Sequence, residues 1–135
     1  MQIAGEPFEL ELALDPETRY RGLGGRASIE PNGGMLFVFP GPVPQRFVMR
    51  DCLVAIDIAF LDAGGRVVAI HEMQTEPPQR PGESDAAYEA RLRVYRSVFP
   101  AQFAVETAGG RLRDIGLVVG QRIALDTSRL GLRAR

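Results

Sequence analysis

Between Gly34 and Asp62 the chain reads GMLFVFPGPVPQRFVMRDCLVAIDIAFLD. Aliphatic and aromatic β-formers dominate this stretch, and Pro and Gly interrupt it too often for a long helix. Such a run predicts consecutive buried strands with one polar knot, Met49-Arg50-Asp51-Cys52, at a turn among them. Met35 to Phe39 carries no polar residue, which predicts a strand buried on both faces. Pro40, Pro42 and Pro44 predict a stiff connector, with a third strand from Gln45 to Met49. Ile56 to Leu61 and Arg66 to Met73 then flank Ala63-Gly64-Gly65, the strongest hairpin signal in the chain.

The flanking segments add strands and a few short helices. Phe8, Leu10, Leu12 and Leu14 alternate with Glu9, Glu11 and Ala13, the period of a half-buried first strand. Asp15-Pro16-Glu17 predicts a helix start: Asp15 caps free N–H groups, Pro16 suits the first helical position, and Glu17 faces the positive helix end. Gly22, Gly24 and Gly25 stop that helix early. Gln74 to Glu83 is polar and proline-rich, a surface loop. Ser84 caps a predicted helix through Tyr95, with Tyr88, Leu92 and Tyr95 at helical spacing and Glu89 to Arg93 as an i,i+4 pair. Ala101 to Thr107 reads as a strand, Arg111 to Ile115 as a helical turn ending at Gly116, and Arg122 to Leu125 as a last strand. The tail after Thr127 has little to bury and is expected to fray. These elements predict one domain over residues 1–135, with a surface loop and a peripheral helix at about 74–96. The fold class is mainly β, a β-rich α+β fold. Its sheet is compact, mostly antiparallel and barrel- or sandwich-like, with one or two short peripheral helices.

Composition narrows the function classes. At 135 residues, the chain buries roughly two thirds of its unfolded surface and needs no staple. A formal net charge of -1 argues against a general nucleic-acid or anionic-membrane binder, which needs a basic excess. All 16 basic residues are arginine, scattered without the clustering that anion recognition would require. Cys52 is the sole cysteine, which leaves no intrachain disulfide and no thiolate zinc site, and no motif calls for a metal or another cofactor. The segment MQIAGEPFELEL lacks a basic region followed by an apolar run, so no signal peptide is visible. No stretch approaches the roughly 18 apolar residues of a membrane span. The reading is a soluble domain, either cytoplasmic or exported with a leader removed before Met1.

Asp15-Pro16-Glu17-Thr18-Arg19-Tyr20-Arg21-Gly22-Leu23 and then Gly34-Met35-Leu36-Phe37-Val38-Phe39-Pro40 resemble the bacterial and archaeal family called domain of unknown function 192. That family reads "TPEERxRGLM" before "GMLFVFP". The resemblance continues through Phe47-Val48-Met49-Arg50-Asp51-Cys52 (family "FWMKNT"), then Ile56-Asp57 and Phe60-Leu61-Asp62 ("PLDIIFLD"). It ends with Gly116-Leu117-Val118-Val119-Gly120-Gln121-Arg122 ("GIKVGDRV"). It implies a small β-rich domain, often exported or lipid-anchored in relatives, and no particular activity. The chain departs from the pattern at Gly24 (usually Met), Val48 (Trp), Asp51 (Asn), Cys52 (Thr) and Ala55 (Pro). If the family pocket depends on that Trp and Asn, the ligand here differs or is absent.

Each candidate site residue has a structural alternative. Arg21, Met49, Arg50 and Asp51 are the ligand-binding candidates, with Arg50 offering a fork to a carboxylate or phosphate. The alternative is that Arg50 pairs with Asp51, Asp57 or Glu72 and pins the turn. Asp57 sits among Ile56, Ile58, Ala59, Phe60 and Leu61, where a carboxylate is costly unless partnered. A two-residue turn at Gly64-Gly65 places Asp57 opposite Glu72, a dyad suited to acid–base chemistry or a metal. A loop one residue longer places it opposite His71, and Asp57 could equally cap a turn. Cys52 and His71, each the only one of its kind, invite a nucleophile reading, against which a lone cysteine beside a strand is usually a small buried hydrophobe. Gly22-Leu23-Gly24-Gly25 beside Arg21 lacks the lysine and the strand–loop–helix order of a phosphate loop. Tyr88, Leu92 and Tyr95 form a core stripe or a docking helix for a partner. The first reading is therefore a binding or accessory domain recognising a small anionic ligand or partner protein near the Met49–Cys52 turn. The alternatives are a small hydrolase-like enzyme using Asp57 and Glu72, and a structural interaction module.

Overall fold

A computed structural model describes all residues, Met1–Arg135. The elements in chain order are β1 (Gln2–Ile3), β2 (Glu6–Pro7), β3 (Glu11–Ala13), α1 (Pro16–Arg21), β4 (Met35–Phe47), β5 (Ile56–Leu61), β6 (Val67–Met73), α2 (Asp85–Arg91), β7 (Tyr95–Ala108), α3 (Arg111–Asp114) and α4 (Thr127–Arg133). β1 and β2 form a small hairpin, and the other strands form one five-stranded sheet in the order β3-β4-β7-β5-β6. All pairings are antiparallel except β3 with β4, which is parallel. The fold is thus a β-rich α+β fold with an open sheet.

Because successive strand residues point to opposite faces, the sheet separates two cores. One face gathers Leu36, Val38, Ala59, Leu61, Phe103 and Val105 under the β1–β2 hairpin, Leu112 of α3, Leu117 and Ile123. The other gathers Met35, Phe37, Ile58, Phe60 and Ala104 with Leu23, Met49, Met73 and Tyr95. β5 is buried at all six positions, because it is central and covered on both faces.

Local signals act as their chemistry requires. The Asp15 carboxylate accepts from Thr18 N–H at 2.8 Å and caps α1, and Ser84 Oγ accepts from Ala87 N–H at 3.1 Å and caps α2. The β5–β6 hairpin reaches its register by a compensation. Asp62 N–H donates to Arg66 O, which makes the loop one residue longer than a two-residue turn. Gly65 supplies the left-handed position (φ +87°), and Asp62 Oδ1 accepts from Gly64 and Arg66 N–H. A bulge between the Leu61–Val67 and Phe60–Ala69 pairs then restores the lost residue, so Asp57 faces Glu72.

Several elements differ from the sequence-based expectation. Pro40, Pro42 and Pro44 lie inside β4, which runs unbroken to Phe47 with register shifts against β7. The matching irregularity on β7 centres on Val98, at φ +65°, where buried Ser97 Oγ accepts from Gln45 N–H and donates to Phe99 O. The first strand is shorter than its alternation suggests: β3 spans only Glu11–Ala13, Leu12 is exposed and Ala13 is buried. α2 ends at Arg91 and Tyr95 opens β7, so Glu89 and Arg93 form no helical pair. Arg122 makes an isolated bridge to Arg66 in place of a last strand. The tail forms α4, capped by Asp126, with Leu130 and Ala134 against the first core. The short helices therefore number four.

Candidate functional site

A cleft of about 360 Å³ opens on the second face of the sheet, between α1 with its following glycines and the middle of β4. Its walls are aromatic. Phe37 and Phe47 pack edge to face with ring centres 4.9 Å apart, and Phe39 meets Phe47 at 6.2 Å. The sequence places all three on one side of β4, because odd-numbered residues share a face there. Leu23, Val48 and Cys52 complete the apolar lining, and Arg19, Tyr20, Arg21, Arg46 and Arg50 surround it.

Glu106 lies at the floor. It sits in β7 between Met35 of β4 and Ile58 of β5, is 5% exposed, and its side chain makes no ion pair within the protein. Burial alone pushes its carboxyl up to about 8, because no cation or N–H donor offsets the loss of water. Gly34 holds this strand in place. At φ +131°, a Cβ on it would lie 2.0 Å from the Glu106 carbonyl oxygen, so only glycine lets β4 approach β7 here. Cys52 is the other titratable group of the lining. Burial, then the nearby Glu106 and Asp51 charges, push its thiol up to about 12, and its Sγ lies 3.4 Å from Arg50 O.

The arginines divide into committed and free. Arg50 pairs with both carboxylate oxygens of Glu89, donates to Tyr20 O at 3.1 Å and stacks 3.8 Å above the Tyr20 ring. The hydrogen bonds to Glu89 raise its pKa further. Arg19 donates to Val38 O at 3.0 Å and lies over the Phe39 ring. Arg21 and Arg46 are exposed at the mouth and belong to none of the four ion pairs. The Arg21 charge is felt by Glu11, whose direct partner is Arg26.

The residues singled out in the sequence separate accordingly. Arg21, Arg50 and Cys52 line the cleft, whereas Met49 is 1% exposed and belongs to the core. Asp51 takes φ +55° in the turn, and its N–H donates to the Tyr88 hydroxyl at 2.9 Å. Its side chain is exposed beside Tyr20, Arg21 and Gly25. Arg50 pairs with Glu89 of α2 and not with Asp51, Asp57 or Glu72. Asp57 and Glu72 face each other across β5 and β6 but take separate roles. Asp57 is 1% exposed, and its Oδ2 accepts Leu112 N–H at 3.0 Å, so it caps α3, whose own N-cap Gly110 has no side chain. Its Oδ1 has no hydrogen-bond partner. Burial raises the Asp57 pKa, and the Gly110 and Leu112 N–H groups pull it back only in part. Glu72 pairs with Arg113 at the surface. His71 Nε2 lies 2.7 Å from Arg96 O and its ring abuts Phe60 and Tyr95, away from the cleft that Cys52 lines.

Glu106 was not among the residues the sequence suggested. Its signal is a single acid inside the apolar run QFAVETA, the same pattern that drew attention to Asp57. Arg46, Phe37, Phe39 and Phe47 read in the sequence only as strand residues.

Comparison with known proteins gives the following. The sequence model of one family, DUF192, described as an uncharacterized ACR, matches residues 1–125. A crystal structure from Sinorhizobium meliloti 1021, described as a "putative transcription regulator", is 28% identical with a TM-score of 0.70, covering 85% of this chain and 79% of that one. A protein of unknown function from Novosphingobium aromaticivorans is 22% identical with a TM-score of 0.75, covering 92% of this chain and 80% of that one. Comparison with curated proteins returns no match.

Proposed function

The chain belongs to the DUF192 family, and within that fold we propose that it is a small-ligand-binding domain. The ligand sits in the cleft between α1 and β4, its apolar body against Phe37, Phe39 and Phe47 and an anionic group at Arg21 and Arg46. The observation that carries this reading is Glu106, a residue 5% exposed whose carboxyl opens to the floor of an aromatic cleft and has no ion-pair partner. A buried polar group without a partner lowers stability. A domain that served only as a spacer has no use for one at the end of an open cavity. A mostly apolar cavity of a few hundred Å³ with a few convergent polar groups is the general form of a small-molecule site. The free guanidiniums at the mouth supply the fork that suits a carboxylate or phosphate.

The test is an amide-resolved NMR titration with benzoate and phenyl phosphate. Binding should move the resonances of Tyr20–Gly24 and Gln45–Val48 and should weaken in the Arg21→Ala/Arg46→Ala double variant. Perturbations confined to other surfaces, or equal affinity in the double variant, would refute the reading.

A further inference from the structure

We infer that the buried end of this ligand is a hydrogen-bond acceptor oxygen on an apolar body, so that the cleft takes oxo- or acyl-substituted carboxylates. The inference rests on the cleft being the ligand site and adds which chemical group reaches its floor.

The surroundings of Glu106 decide the point. The strand neighbours on either side, Met35 and Ile58, carry no side-chain N–H or O–H group. From α1 and the loop after it come Arg19, Tyr20 and Arg21, from β4 Gln45 and Arg46, and from the β4–β5 connection Arg50 and Cys52; Gln45 Nε2 donates to Ala101 O at 3.5 Å. Arg19 and Arg50 spend their donors on Val38 O, Tyr20 O and Glu89. Arg21 and Arg46 stand at the mouth, and the Cys52 thiol lies nearest to the Arg50 carbonyl. On β6, His71 is engaged with Arg96 O. No cation or N–H therefore meets the carboxyl, and an acid in such a setting keeps its proton. Burial holds it at about 8.

A protonated carboxyl presents one O–H donor to the cavity. A hydrocarbon end would leave that donor unmet, whereas a carbonyl oxygen satisfies it. Sites built to hydrogen-bond a ligand group discriminate strongly against analogues lacking it. An ammonium end would have to displace the proton and pass a mouth ringed by guanidinium groups.

The experiment compares 4-acetylbenzoate with its shape-matched analogue 4-isopropylbenzoate and with 4-(aminomethyl)benzoate, by calorimetry and NMR, at pH 6.5 and pH 9.5. At pH 6.5 the acetyl compound should bind about tenfold more tightly than the isopropyl one. At pH 9.5, with Glu106 ionised, that margin should vanish. Glu106→Gln, a donor at any pH, should keep the margin at both, and Glu106→Leu should lose it at both. Equal binding of the acetyl and isopropyl compounds at pH 6.5 would overturn the inference and leave the cleft reading standing. Preference for the aminomethyl compound, with about one proton released per ligand bound, would overturn it in favour of a cationic group. If none of the three moves the cleft resonances, the cleft reading fails and this inference with it.

Discussion

Replacing Glu106 with glutamine tests the central feature of the molecule without any ligand. An ordinary glutamate carboxyl titrates at 4.5, whereas burial moves Glu106 to about 8. Below about pH 4 folded and unfolded chains both carry the proton, and the group adds no pH dependence. Between 4.5 and about 8 the unfolded chain releases its proton while the folded chain keeps it, so the folded state loses stability as pH rises. Each tenfold step is about 1.4 kcal/mol, which gives a cost of about 3 kcal/mol at pH 7 and about 5 kcal/mol on the plateau above pH 8. The amide of the Glu106→Gln variant has the same shape as the acid and no proton to lose. Urea denaturation of the two proteins across pH 4–9 should show nearly equal stability at pH 4. The variant should then gain steadily, reaching about 3 kcal/mol by pH 7. Asp57, whose carboxyl is also shifted upward, is common to both proteins and cancels. Parallel curves from pH 4 to pH 8 would mean that Glu106 ionises normally, and the account of an unpartnered carboxyl at the cleft floor would be wrong.

Further expectations follow from individual contacts. Gly34→Ala should cost about 3 kcal/mol or more in urea midpoint measurements, because its methyl group collides with the Glu106 carbonyl; a change below about 1 kcal/mol would show that the strands can part freely. Arg50→Ala should cost about 1–2 kcal/mol, through loss of the Glu89 pair and the Tyr20 stacking, and hydrogen exchange in α2 should quicken more than in β5. Asp57→Ala should destabilise by about 1–2 kcal/mol by uncapping α3, while Asp57→Asn, which keeps an acceptor for Leu112 N–H, should stay close to the parent. The Cys52 thiol, pushed up to about 12, should react with iodoacetamide at pH 8 at least about a hundredfold more slowly than in the urea-unfolded chain; comparable rates would place a thiolate there.

Features governed by neighbouring residues were legible in the sequence. Asp15 and Ser84 cap helices because a cap needs only residues three positions away. The Gly34–Phe39 and Ile56–Asp62 runs disclosed buried strands and, through their motifs, the family. The hairpin was harder. The Asp57–Glu72 register was one of two open alternatives, and it arises from a longer loop plus a bulge at Val68, which alternation alone does not separate from a two-residue turn. β4 continues through Pro40 and Pro42 by bulging against Gln102 of β7, and past Pro44 because β7 bulges in turn over Ser97, Val98 and Phe99, a fact lodged in a distant part of the chain. Tyr95 matched the helical spacing of Tyr88 and Leu92 by coincidence, since a helix and a following strand can both aim at one core. The cleft was the least visible part. Glu106, Arg46 and the aromatic wall meet only after the strand order β4-β7-β5 forms, and no spacing encodes which arginines remain unpaired. Arg50 drew notice as a turn residue, but its partner Glu89 sits on α2, 39 residues further along the chain.

The prolines of β4 have one more effect. β3 accompanies β4 only as far as Phe37, so beyond that point the flank of β4 opposite β7 has no strand beside it. Backbone N–H groups along a strand alternate in direction, and Gln45 N–H turns inward to Ser97. Pro40, Pro42 and Pro44, at the opposite parity, remove the outward donors. A foreign strand approaching this border would find carbonyls with nothing to give in return, which guards the protein against edge-to-edge aggregation.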